Sequence, residues 1–193
     1  MKITIKVIGT SPLLMHNPQM VDPNFDLNRQ IKALTAKRKK TDEDLADIER
    51  LEWYGGIYTE ASKGGVIVVQ PTSKLRKCLV ESARISKAGK QVERGLSFLA
   101  LNTPLIYDGP RDIDELWASG NFKSRLSVGM MGKRIMRVRP QFSAWAMSAP
   151  AELLTDVLSL EDLQAIASLA GMAVGIGDNR VNGYGRFTVE VTA

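Results

Sequence analysis

The hydrophobic pattern changes period several times along the chain, and each change marks an element. Residues 2–8, KITIKVI, alternate, which puts Ile3, Ile5 and Val7 on one face of a half-buried strand and Lys2, Thr4 and Lys6 on the other. Residues 9–25 carry Gly9, Pro12, Pro18 and Pro23 and predict an irregular loop. From about Asp26 to Trp53 the period becomes helical. Leu27, Ile31 and Leu34 are followed by Leu45, Ile48 and Leu51, with a break near Thr41 and Asp42, so two helices or one bent helix are expected. YGGIYTE and GGVIVVQ predict a hairpin turning at 62–65, and Pro71 and Thr72 then open a helix to about Ser86 with Thr72 as its N-cap.

Downstream, SFLAL and PLIY read as strands and DIDELWAS as a short helix. RLSVGMM, KRIMRVR and QFSAWAM read as three further strands separated by Gly132 and Pro140. Ser159 with Asp162 resembles a capping box that starts LEDLQAIASLAGM, a helix expected to end near Gly171, and GRFTVEV is the last strand.

Composition narrows the class. With 44% apolar and 24% charged residues among 193, the chain is expected to fold as one ordinary domain. No apolar run reaches the roughly 18 residues of a bilayer span. The N-terminus alternates like a strand and has no secretory apolar stretch, so a cytoplasmic protein is expected. The single Cys78 excludes an internal disulfide and a cysteine-cluster metal site, and its half-apolar helical context suits a buried thiol. No Asp, Glu or His cluster has metal-ligand spacing, so neither a metal nor any other cofactor is expected.

Charge changes the picture more. The net charge of +5 favours a polyanionic partner, and the positive residues are unevenly placed. FKSRLSVGMMGKRIMRVRP, residues 122–140, carries Lys123, Arg125, Lys133, Arg134, Arg137 and Arg139 and no acid, whereas residues 42–52 are acid-rich. On an extended KRIMRVRP, Lys133, Ile135, Arg137 and Arg139 share one face and Arg134, Met136 and Val138 the other.

GIGDNRVNGYGRFTVEV, residues 175–191, sets glycines after a helix and before a strand. A dinucleotide fingerprint needs the reverse order, and a phosphate-binding Gly-Lys-Ser or Gly-Lys-Thr is missing. Two readings stay open: a turn that needs positive φ angles, or a stretch where missing Cβ atoms let backbone amides approach another backbone.

LAGMAVGIGDNRVNGYGRFTVEV resembles the C-terminal glycine-rich signature of the RAMP superfamily, the repeat-associated RNA-binding proteins of CRISPR systems, with Gly175, Gly177, Gly183, Gly185 and Phe187 in register. MKITIKVIGTSPLLMH is similar to that family's first strand and following loop, and QPTSKLRKCLVESAR to a short basic helix of its Cas7-like members, CRISPR-associated or phage-encoded. The resemblance implies an α+β, ferredoxin-like βαββαβ domain over residues 1–193: an antiparallel sheet with helices on one face, a helical and hairpin insertion at about 18–65, and a basic hairpin at about 122–148.

It further implies a non-catalytic protein that binds single-stranded RNA or DNA and multimerises along the strand. Gly175 to Gly185 would then present amides to a phosphodiester, with Arg180 and Arg186 neutralising it alongside the basic stripe. Tyr184 would stack on a base or pack between helix and sheet. Met130 and Met131, at the tip GMMG, would wedge between bases or touch a neighbouring subunit. Two alternatives stand beside this. One is a Cas6-like, metal-independent endoribonuclease using His16, the only histidine, for proton transfer. The other is a protein-interaction module or inhibitor within a ribonucleoprotein assembly.

Overall fold

The computed structural model describes residues 1–130 and 132–193. In chain order the elements are β1 (Lys2–Gly9), β2 (Leu13–Leu14), α1 (Asp26–Ala36), α2 (Asp42–Gly56), β3 (Thr59–Ser62), β4 (Gly65–Pro71), α3 (Thr72–Ala83) and α4 (Gly89–Gly95). They continue with β5 (Leu96–Phe98), β6 (Asn102–Pro104), α5 (Ile113–Ser119), β7 (Lys123–Met130), β8 (Lys133–Phe142), β9 (Ala146–Leu153), α6 (Leu160–Leu169) and β10 (Phe187–Thr192).

Alternation in KITIKVI places Ile3, Ile5 and Val7 in the core and leaves Lys2 and Lys6 exposed. β1 lies between β10 and β9, antiparallel to both, with Ile5 opposite Val191 on one side and Ala149 on the other. β5 completes a sheet of order β10-β1-β9-β5. With α3 joining β1 to β5 and α6 joining β9 to β10, this is the ferredoxin-like βαββαβ arrangement, an α+β fold. Leu75, Leu79 and Ala83 of α3 and Leu163, Ile166 and Ala167 of α6 join the inward residues of β1 and β9 in one core, so both helices cover one face.

Between β1 and α3 the chain inserts α1, α2 and the hairpin β3–β4; between β5 and β9 it inserts β6, α5 and the long hairpin β7–β8. The two insertions meet. α2 packs along β8, with the buried Trp53 donating its indole N–H to the Phe122 carbonyl at 2.8 Å.

Several boundaries differ from the sequence reading, each for a local reason. α2 runs on through Tyr54 to Gly56, because Trp53 and Tyr54 pack against Trp117 (ring centroids 5.7 and 6.2 Å), and the Thr41–Asp44 capping box holds its start. Thr72 is the first residue of α3 and not its cap: its hydroxyl donates to the Ala100 carbonyl at 2.7 Å, tying the helix start to the turn after β5. β8 passes through Pro140. The proline is tolerated at the last pair with β7, opposite Lys123, and its carbonyl accepts from the Met15 N–H. Ser159 caps α6 by accepting from the Asp162 N–H at 3.0 Å, but the helix continues beyond Gly171 in a π-helical turn, Ala170–Val174.

Candidate nucleic-acid interface

The glycine loop is built against the loop that follows β1. Gly175, Gly177, Gly183 and Gly185 all have positive φ. A Cβ on Gly185 would lie 1.7 Å from the Ile176 carbonyl oxygen, and one on Gly177 2.5 Å from that of Leu14. The N–H of Asp178 donates to Leu14 and that of Gly185 to Pro12, both at 2.8 Å, while Thr10 donates to Arg186 at 2.8 Å. The Ser11 hydroxyl donates to the Gly183 carbonyl and accepts from the Arg186 N–H.

The expectation that free amides of this stretch meet a phosphodiester therefore needs correcting at Gly175, Gly183 and Gly185. Their N–H groups donate to Ala170, Arg180 and Pro12. The close approach foreseen from the missing Cβ atoms is real, but the backbone approached is the chain's own.

The basic stripe is also altered by its neighbours. α2 brings its acids onto the hairpin: Arg125 pairs with Glu49 at 2.6 Å, and Arg137 pairs with Glu52, whose other oxygen accepts the Val138 N–H at 3.0 Å. Arg139 Nε donates to Asp178 of the glycine loop at 2.9 Å, and Arg180 pairs with Glu81 of α3 at 3.0 Å. Arg134 donates to the Ser127 hydroxyl, and Lys123 Nζ stands 3.9 Å over the Trp117 ring. Arg186 donates to the Arg180 carbonyl, leaving Nη1 buried without a partner among the described residues.

Tyr184 is half-buried in the wall of an open groove of about 500 Å³ between hairpin and loop, opposite Leu126 and Val128. Met131 lies outside the described residues, as do the side chains of Met130 and Lys133.

A stronger cationic surface lies on α3 and α4. Lys74, Lys77, Glu81 and Arg84 fall at i, i+3, i+7 and i+10, one face of the helix, and Glu81 is the acid that Arg180 engages. Lys77, Arg84, Lys87, Lys90 and Arg94 are exposed, and among the described residues none of them is in an ion pair. Helical spacing of lysine and arginine over residues 74–84 was the available signal.

His16 lies where the glycine loop, β4 and α3 meet. With Tyr58, Gln70, Lys74, Gly177 and Asp178 it lines a cavity of about 110 Å³. Its Nδ1 is buried without a partner among the described residues, and the Tyr58 hydroxyl donates to its backbone carbonyl at 2.8 Å. Burial holds the imidazole below its ordinary value of 6.5, with Arg139, Lys74 and Arg137 acting the same way and Asp178 opposing them. Burial likewise pushes the Tyr58 phenol up to about 12 and the Cys78 thiol up to about 12. Cys78 is thus an inert thiol, near the Ala170 carbonyl. Among the described residues no three His, Cys, Asp or Glu side chains gather as metal ligands, and no helix is long and apolar enough to cross a membrane.

The lowered His16 value has a testable sign. On acidification the unfolded chain takes up this proton first, so the stability His16 contributes is present above about pH 6.5 and is lost as pH falls through the lower folded value. Thermal melts from about pH 7.5 to about pH 5.5 are expected to show a steeper loss of Tm for the wild type than for His16→Phe.

No protein-family model matches the sequence, and no curated protein matches it. Solved structures do match. A chain of the type III-B Cmr-beta bound to cognate target RNA superposes with a TM-score of 0.53 at 9% identity over 99% of this chain, which spans 60% of that one. A chain of a type IV-B CRISPR complex superposes with a TM-score of 0.51 at 10% identity, over 100% of this chain and 91% of the other. The likeness is one of fold.

Proposed function

We propose that this protein is a Cas7-like, non-catalytic subunit that binds single-stranded nucleic acid and multimerises along it within a larger assembly. The observation that carries the reading is the cationic face of α3, where Lys74, Lys77 and Arg84 run past Arg180 and the glycine loop. The shared fold supports it, and RNA is the first candidate because one of the similar chains belongs to a structure that contains target RNA. The glycine loop serves as the brace that holds the β1 loop and α3 in position. The phosphate contacts fall to Lys74, Lys77, Arg84 and Arg180, and Tyr184 offers an aromatic face in the groove between the hairpin and the glycine loop. The paired Arg125, Arg137 and Arg139 hold the hairpin in place.

Fluorescence anisotropy with labelled single-stranded RNA and DNA of matched sequence, across a salt series, tests this. Four lysine and arginine contacts to a single strand give a slope of log affinity on log salt of about −3. Lys77→Ala/Arg84→Ala is expected to weaken binding to all sequences and to bring the slope roughly one unit closer to zero. A slope near zero in the wild type would sink the reading. No binding to either polymer at low salt would favour a module that joins its assembly through protein contacts alone.

One observation favours a second reading: the structure places Tyr58, Lys74 and Asp178 around His16, side chains that sequence spacing could not bring together. An endoribonuclease needs such a second proton-transfer group beside the imidazole. Labelled RNA incubated with the protein and a chelator is expected to stay intact; cleavage that disappears in His16→Ala would replace the binding reading.

A further inference from the structure

The cavity beside the glycine loop has an unusual floor. Gln70, on β4, has no exposed surface, and neither its amide nitrogen nor its amide oxygen meets a hydrogen-bonding group of the described residues. His16 Nδ1 is orphaned in the same cavity. A buried amide left unmade costs about 1–3 kcal/mol, so a side chain kept there without a protein partner points to a partner from outside.

Size and chemistry restrict that partner. About 110 Å³ holds roughly three or four waters at about 30 Å³ each, well below the roughly 300 Å³ from which free small-molecule sites begin. A whole nucleotide or cofactor does not fit; a flat group projecting from something outside does. An amide displays a donor and an acceptor side by side. A phosphate oxygen would take the donor and leave the Gln70 carbonyl facing negative charge, whereas the edge of a nucleobase offers the complementary acceptor and donor together. The wall residues His16, Lys74, Gly177 and Asp178 are all partly exposed, so the cavity opens on the side where the Lys74 face of α3 begins.

We infer that this cavity receives the edge of one unstacked base of a bound single strand, with Gln70 as the reading group and His16 as a second contact. The inference rests on the strand-binding reading above. A duplex cannot use such a site, because its bases are stacked and paired and cannot enter the cavity; a single strand can turn one base inward while Lys77 and Arg84 hold its backbone. The protein then carries a base preference on top of a sequence-independent charge contact.

Affinities for short homopolymers of adenosine, cytidine and uridine, of equal length and in whichever of the ribo or deoxy series binds better, test it. The wild type is expected to bind one homopolymer at least about fivefold more tightly than the weakest. Gln70→Met, close in shape and without the amide, is expected to remove that preference, and His16→Phe to reduce it. Thermal melts accompany each variant, and the ranking by the wild type is informative even if a variant fails to fold. Equal wild-type affinity for all three homopolymers overturns the inference while leaving strand binding intact. A ranking that persists in folded Gln70→Met overturns it too, and the cavity then holds water only. No binding to any homopolymer at low salt overturns the strand-binding reading and this inference with it.

Discussion

Gly185→Ala is expected to leave little folded protein at moderate temperature. The position has φ 68°, where a non-glycine residue costs about 1–2 kcal/mol, and the new Cβ would sit 1.7 Å from the Ile176 carbonyl oxygen, a backbone atom with no freedom to retreat. Relieving that clash means breaking the Ile176 to Gly185 hydrogen bond of 2.9 Å and shifting Gly185 away from Pro12. The combined loss is about 4 kcal/mol or more, a large part of the roughly 5–15 kcal/mol that keeps a domain folded. Gly183→Ala is the matched control. Its φ is 86°, but nothing lies within 4 Å of the added Cβ, so only the conformational cost of about 1–2 kcal/mol is expected. Urea melts followed by circular dichroism separate the two. Similar losses for both would mean that positive φ, and not close packing, is what the loop requires.

The second large effect concerns Arg137 and Glu52. Glu52 is 6% exposed, and it holds both the Arg137 guanidinium and the Val138 N–H. Arg137→Met strands a carboxylate in that position and is expected to cost about 3 kcal/mol. Adding Glu52→Gln is expected to recover most of the loss, because the glutamine amide still accepts from Val138 and no charge remains uncompensated. Denaturant melts of both single variants and the double variant measure the coupling. Strand binding adds a second readout: the folded double variant is expected to retain its affinity, and a marked loss would return Arg137 to the interface.

These expectations differ from what the chain suggests when read in order, and the reason is physical. KITIKVI, the helical run from Asp26 and the capped LEDLQAIASLAGM were legible because their signals are local: alternation, helical spacing, a serine before an apolar run. The antiparallel ferredoxin-like sheet followed from the family resemblance, and within it β1 pairs with β10. The electrostatics of the hairpin were not legible. The acids of residues 42–52 and the cations of residues 122–140 look like separate patches in sequence, and only the packing of α2 on β8 puts Glu49 and Glu52 against Arg125 and Arg137. Gln70 gave no signal at all: within GGVIVVQP it reads as the polar end of a strand, and its burial depends on the glycine loop closing over it from far along the chain.

The central strand of the sheet also sets when the molecule can become itself. β1 leaves the ribosome well before both of its neighbours, since β9 and β10 follow only after the two insertions, and the Thr10, Pro12 and Leu14 backbone is bonded by Arg186, Gly185 and Asp178, later still than β9. Contacts this distant in sequence form slowly, since a long loop must close before any of them is made. Until then Ile3, Ile5 and Val7 are a bare, alternating β segment with two unpaired edges, which is the kind of segment that pairs with other chains. Nascent protein is therefore most open to aggregation, and most dependent on chaperones, throughout the synthesis of its two insertions.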